Sequence, residues 1–189
     1  MSWIRTVPPG DTPTAGDPYA AMRVRSSRPH VSNVWQTVSL DPRGLGGFFG
    51  LRADLMDDPA PLSAAQAEAI VLVVSATNGC AYCVAHHGPK LAKALGDEAL
   101  AHAVAHDYRE ADLPARDRVL LDYAVALTCE PAERKPEDVE RLREYGFDDL
   151  GILKATEITS FYNAINRIIC GLGTALEAGV APWEFGAQR

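Results

Sequence analysis

Two of the four cysteines stand in Asn78-Gly79-Cys80-Ala81-Tyr82-Cys83-Val84-Ala85-His86-His87, a CxxC pair followed four residues on by His87. A thiol in the first turn of a helix meets amide N–H groups and the positive end of the dipole, which favour the thiolate. If a helix opens near Cys80, Cys83 is that thiol. Cys80, at the helix end and expected nearer solvent, could then attack an oxidised Cys83 and close a disulfide. Cys83 and His87 are at i and i+4 and share a helix face, so a proton can pass between them. Glu68 is the single acid between Asp58 and Cys80 and could complete a proton relay with His87. A thiolate, a proton donor and a resolving thiol are the set that peroxide reduction needs.

Other chemistry is open to the same residues. Cys80, Cys83 and His87 could supply three zinc ligands with Cys170 or a further His as fourth, making a zinc-stabilised helical module. Glu68 in the first turns of a helix could equally be a solvated, dipole-favoured charge. Cys129 and Cys170 fall on apolar helix faces and read as packing residues. His86, His102 and His106 read as surface or core-edge residues, and His30 carries no signal.

The elements that must position the pair read as helices throughout. Ser63-Ala64-Ala65-Gln66 is a capping box, and the apolar run Ile70–Val74 that follows predicts a helix buried nearly all round and ending near Asn78-Gly79. A second helix runs from about Cys80 to Leu95 with Gly96 as its cap; Pro89 inside it is expected to kink or split it. Short helices follow over Asp97–His106, after Leu113-Pro114, and from Pro136 to Gly146. The last long helix carries Leu150, Leu153, Ile158, Phe161, Ile165, Ile168 and Leu172 as an amphipathic seam. No alternating pattern with hairpin turns occurs. The expected fold is all-α, one domain of about seven or eight helices in all, with a helical bundle over residues 44–189 preceded by an N-terminal arm over 1–43. Prolines at 8, 9, 13, 18, 29 and 42 make that arm extended, with one short helix near Tyr19–Val24. Trp3, Ile4, Val34 and Trp35 give it apolar groups to pack.

Lys and Arg total 18 against 25 Asp and Glu, a net charge of −7, with no basic block to hold nucleic acid or an anionic membrane. The N-terminus lacks a signal-peptide core, and no apolar run approaches the roughly 18 residues needed to span a bilayer. The expectation is a cytoplasmic protein, where a CxxC is catalytic or metal-binding more often than a structural staple.

Glu68, Cys80, Cys83 and His87, in the order E-x11-C-x2-C-x3-H, resemble the active-site motif of alkyl hydroperoxidase D proteins of the carboxymuconolactone decarboxylase superfamily. The likeness is to the peroxidase-related branch and extends through Ala69–Cys83, Ala111-Asp112-Leu113, Asp122-Tyr123-Ala124 and Phe161–Arg167. It implies a helical homo-oligomer of the alkyl hydroperoxidase D type, with no haem, flavin or metal cofactor at the site. It also implies that Cys83 attacks a hydroperoxide, Cys80 resolves, Glu68 and His87 relay the proton, and a dithiol or thioredoxin-like protein returns the electrons. The studied members carry His immediately before the second Cys; this chain carries Tyr82, which stays neutral near pH 7 and predicts a less acidic thiol. Two further activities are consistent with the residues: a protein thiol-disulfide reductase or redox sensor, and a lactone decarboxylase, which generally acts without the CxxC.

Overall fold

The computed structural model describes residues 2–10, 16–26 and 30–188. Pro13 and Pro29 of the expected arm lie outside them. Among the described residues there are nine α-helices, one 3-10 turn and no strand, so the all-α reading holds with one helix more than expected. The chain divides into two compact units, one formed by Met1–Asp58 with Ile168–Val180, the other by Pro59–Arg167 with Ala181–Arg189.

The first unit contains α1 (Ala20–Arg25), α2 (Asn33–Thr37) and α3 (Pro42–Met56). Asp41 caps α3 by accepting from the Gly44 amide, and Pro42 occupies the first helical position. Tyr19, Met22, Val31, Trp35, Leu45 and Phe49 form one core, in which Trp35 and Phe49 meet edge to face with centroids 5.1 Å apart. The short helix expected near Tyr19–Val24 is α1. Helix α2 has no counterpart among the expected elements: it has five residues and no side-chain cap bond, and burial of Trp35 rather than local signal accounts for it. Later residues tie in through Glu177 Oε1, which accepts from the Asn33 amide at 2.6 Å, and through the Thr37–Thr174 hydroxyl pair at 2.9 Å.

The second unit is built on α4 (Ala64–Thr77), packed against α5 (Ala81–Leu95), α6 (Glu98–Asp107) and α7 (Ala115–Cys129). The capping box is present: Ser63 Oγ accepts from Gln66 N at 3.1 Å and Gln66 Oε1 accepts from Ser63 N at 3.0 Å. Ile70 to Val74 are all fully buried, as a helix surrounded by others requires. The 3-10 turn Pro131–Glu133 and α8 (Pro136–Glu144) follow α7. Helix α9 (Asp149–Leu172) gives its residues up to Arg167 to this unit and the rest to the first.

Three expectations change. Pro89 does not split α5, which is continuous; the residue before it is Gly88, whose missing Cβ removes much of the clash that normally bars helix before proline. Leu150 and Leu153 are exposed. Ile158, Phe161 and Ile165 of the expected seam are buried, and Ile152, Ala155, Thr159, Tyr162 and Asn166 complete the buried stripe of α9 at three- and four-residue spacings. Cys129 and Cys170, expected to pack, are exposed as well.

Candidate active site

The site begins at the junction of α4 and α5. Helix α4 ends with Asn78, Gly79 takes a left-handed φ of +67°, and the chain re-enters helix with Cys80 as N-cap. The Gly79 amide donates to the Ala76 carbonyl at 3.0 Å and the Cys80 amide to the Ser75 carbonyl at 2.8 Å. Those two bonds are a Schellman motif, which satisfies the last carbonyls of α4 and reverses the chain within two residues. The residue that closes one helix thus opens the next. Cys83 falls at N3 of α5, in the first turn, where the helix dipole favours a thiolate.

Both thiols are buried, Cys80 at 1% and Cys83 at 3% relative exposure, and no disulfide joins them. This corrects the expectation that Cys80 lies nearer solvent. As the second residue past the end of α4 it is folded back onto that helix by the Ser75 bond, and so is covered.

His87 lies one turn beyond Cys83 on α5 and is buried. Its Nδ1 is 2.6 Å from Glu68 Oε2, a side chain delivered by the second turn of α4. Glu68 is therefore paired rather than a solvated helix charge. A carboxylate accepting from Nδ1–H fixes the tautomer and leaves Nε2 as the proton acceptor, while stabilising the imidazolium once it forms. The His87 ring also meets Tyr162 of α9 edge to face, with centroids 5.0 Å apart. Tyr82, between the cysteines, packs its ring on His86 one turn later at 4.5 Å.

All four predicted site residues thus occur within the α4–α5 pair, with Glu68 and His87 in direct contact. Among the described residues no group of three His, Cys, Asp or Glu side chains is placed to hold a metal, which leaves the zinc-module reading without a ligand set. Tyr162, against the His87 ring, and the asparagines Asn78, Asn163 and Asn166, joined by hydrogen bonds at the Asn78–Cys80 turn, are not among the predicted site residues. Asn163 and Asn166, three apart beside the apolar stripe of α9, are the available signal.

The carboxymuconolactone decarboxylase family matches residues 42–107. An uncharacterised peroxidase-related protein from Ralstonia eutropha JMP134, described as an alkylhydroperoxidase AhpD core, is 30% identical over 96% of this chain and 97% of its own, with a TM-score of 0.82. The chain belongs to the carboxymuconolactone decarboxylase superfamily, among its alkylhydroperoxidase D-like proteins. An uncharacterised peroxidase-related protein from Silicibacter sp. TM1040 is 35% identical over 79% of this chain and 78% of that one, with a TM-score of 0.76. A debrominase in complex with 2,3,4-tribromopyrrole shares the fold at 19% identity, over 85% and 84% of the two chains, with a TM-score of 0.71. No curated protein matches the sequence. No described helix is long and apolar enough to cross a membrane.

Proposed function

We propose that this protein is a cysteine-based peroxidase that reduces hydroperoxides by cycling Cys80 and Cys83 between dithiol and disulfide. The observation that carries the reading is the 2.6 Å Glu68–His87 pair set one helical turn from a first-turn thiol. His87 takes the Cys83 proton, and the thiolate attacks the terminal peroxide oxygen. The O–O bond breaks, the leaving alkoxide takes the proton back as an alcohol, and Cys83 becomes a sulfenic acid. Cys80 then attacks the Cys83 sulfur. The S–S bond forms, the S–O bond breaks, and hydroxide leaves as water with the proton that Cys80 sheds. An external dithiol, small or thioredoxin-like, reduces the disulfide with two electrons and two protons.

The burial of both thiols favours a small peroxide over a folded protein as oxidant, and by the same argument a small dithiol over a thioredoxin-like protein as reductant, which ranks the protein thiol-disulfide reductase below the peroxidase. The intact CxxC ranks a lactone decarboxylase lower still. Stopped-flow mixing of reduced protein with hydrogen peroxide and organic hydroperoxides, followed by peptide mapping, tests the proposal. The expected product is a Cys80–Cys83 bridge with Cys129 and Cys170 left as thiols. Cys83→Ser should abolish turnover, while Cys80→Ser should react once and stop at sulfenic acid. A dominant bridge through Cys129 or Cys170, or a sulfenic acid on Cys80 in Cys83→Ser, overturns the assignment.

A further inference from the structure

A chain of polar side chains sits beside the Asn78–Cys80 turn, where apolar packing between α4, α7 and α9 would be the cheaper choice. Asn78 Nδ2 donates to Asn163 Oδ1 and to Asn166 Oδ1, both at 3.0 Å. Asn166, almost fully buried, passes its own Nδ2 to Ser75 Oγ at 3.3 Å. Asn163 Nδ2 donates to Thr128 Oγ1 of α7 at 2.9 Å and to the Thr159 carbonyl at 3.0 Å. Arg167 Nη1 donates to Asn163 Oδ1 at 2.7 Å. Every amide in the set has a consistent orientation, since turning Asn166 over would face its NH2 against that of Asn78.

Buried polar groups cost free energy unless all are paired, and once paired they fix position. Here they fix one short segment from both sides. The Ser75 carbonyl holds the Cys80 amide, the Ser75 hydroxyl is held by Asn166, and Asn78 is held by two residues of α9. Cys83 lies outside this arrangement, on the first turn of α5.

We propose that Asn78, Asn163 and Asn166 are positioning residues for the resolving thiol: anchored on α9, they hold the Asn78-Gly79-Cys80 turn so that Cys80 meets the Cys83 sulfur. The assignment rests on the redox cycle proposed above and separates its two steps. Attack on peroxide draws on Cys83, His87 and Glu68. Disulfide closure, in which the Cys80 sulfur bonds to Cys83 while the S–O bond breaks and water leaves, draws on the clamp. The stability of the bridge against an external dithiol depends on it too, because both sulfurs must be held at bonding distance.

The test uses the full chain with Asn78→Asp, which keeps the shape but turns a donor toward two oxygens into an acceptor, and Asn166→Asp, which still accepts from Asn78 but no longer donates to Ser75. Sulfenic acid formation and disulfide closure are timed separately, with a sulfenic-acid trap marking the first. The Cys80–Cys83 equilibrium is also measured in a dithiol redox buffer. Loss of ordinary hydrogen bonds translates to about tenfold in a rate or equilibrium constant. Asn78→Asp should slow closure and weaken the bridge by about that factor or more, with Asn166→Asp between it and wild type. Sulfenic acid formation should move by less than about threefold. Unchanged closure and bridge stability in the variants, with a lowered melting temperature, would make the network purely structural and overturn the assignment. Should Asn78→Asp fail to fold, Asn166→Asp decides alone. Failure of the wild type to react with any peroxide would sink the peroxidase reading instead, and the dithiol equilibrium would then judge the clamp.

Discussion

At the scale of single residues, the site's distinguishing contact is between Glu68 and His87, because it decides what the imidazole can do. A histidine beside a thiol with no second partner can carry its proton on either ring nitrogen. Here the Glu68 carboxylate, 2.6 Å from Nδ1, holds that proton, so that in the proposed cycle Nε2 serves as the base. Glu68→Gln preserves shape but removes the charge that stabilises the imidazolium, and His87→Ala removes the base. General acid–base assistance is worth about 10²–10⁴-fold, so each variant should lower the peroxide rate constant by a factor in that range. Far-UV circular dichroism should show helicity retained. A loss below about threefold with intact helicity would reduce the pair to a buried structural contact. The helix positions of the four candidate residues are legible in the sequence because their spacing matches the turns of two helices. Tyr162 is not, since an aromatic ring on an apolar stripe carries no mark of the imidazole it packs against. The burial of Cys80 is hidden for a related reason: it depends on a chain reversal whose closing bond runs from Cys80 back to Ser75.

At the scale of elements, the α4–α5 junction is where local rules and function meet. Ser63 with Gln66, Gly96, Pro136 and Gly146 all act as the helix boundaries their chemistry predicts. Such signals act within one or two turns, which is why most helices are readable. What resists reading depends on distant partners. The segment Ala181–Gln188 has no regular structure, yet it caps α6: Gln188 Nε2 donates to the carbonyls of Ala105 at 2.7 Å and Val104 at 3.3 Å. Nearby, Trp183 stacks on His102 at 3.9 Å and lies so close over Gly88 that a Cβ there would fall 2.5 Å from its ring. No periodicity announces either contact. The junction itself offers a sharp test. A methyl group added at Gly79 would meet open space, but φ there is +67°, so Gly79→Ala brings backbone strain and no clash. The left-handed conformation costs an L-residue about 1–2 kcal/mol. Chemical denaturation should show a loss of that size, and Gly79→Asn a smaller one, because Asn tolerates this region better. Equal losses for the two would mean that the turn is not the source of the effect.

At the scale of the whole molecule, the first unit presents apolar surface that its own core does not use. Val24 is 88% exposed and Trp3 78%, and Ile4, Leu40 and Leu51 of the same unit are exposed as well. Single exposed apolar residues are ordinary, and five large ones in one unit are the surface on which a cover is to be sought. A second copy of this chain is the expected cover, through a self-complementary surface of the kind that builds closed homo-oligomers. Removing residues 1–40 outright would be a poor test, because Tyr19, Met22, Val31 and Trp35 belong to the core with Leu45 and Phe49, and the deletion would unfold what it was meant to probe. Val24→Asp with Leu40→Asp leaves that core intact while placing charge on the exposed surface. Light scattering should give a multiple of 20.4 kDa for the wild type and a lower mass, concentration-dependent or monomeric, for the double variant. Thermal melting should separate lost association from lost folding, since a stable monomer unfolds cooperatively whatever its concentration. A wild-type mass of 20.4 kDa, or an unchanged oligomer in the double variant, would show that these residues cover no interface.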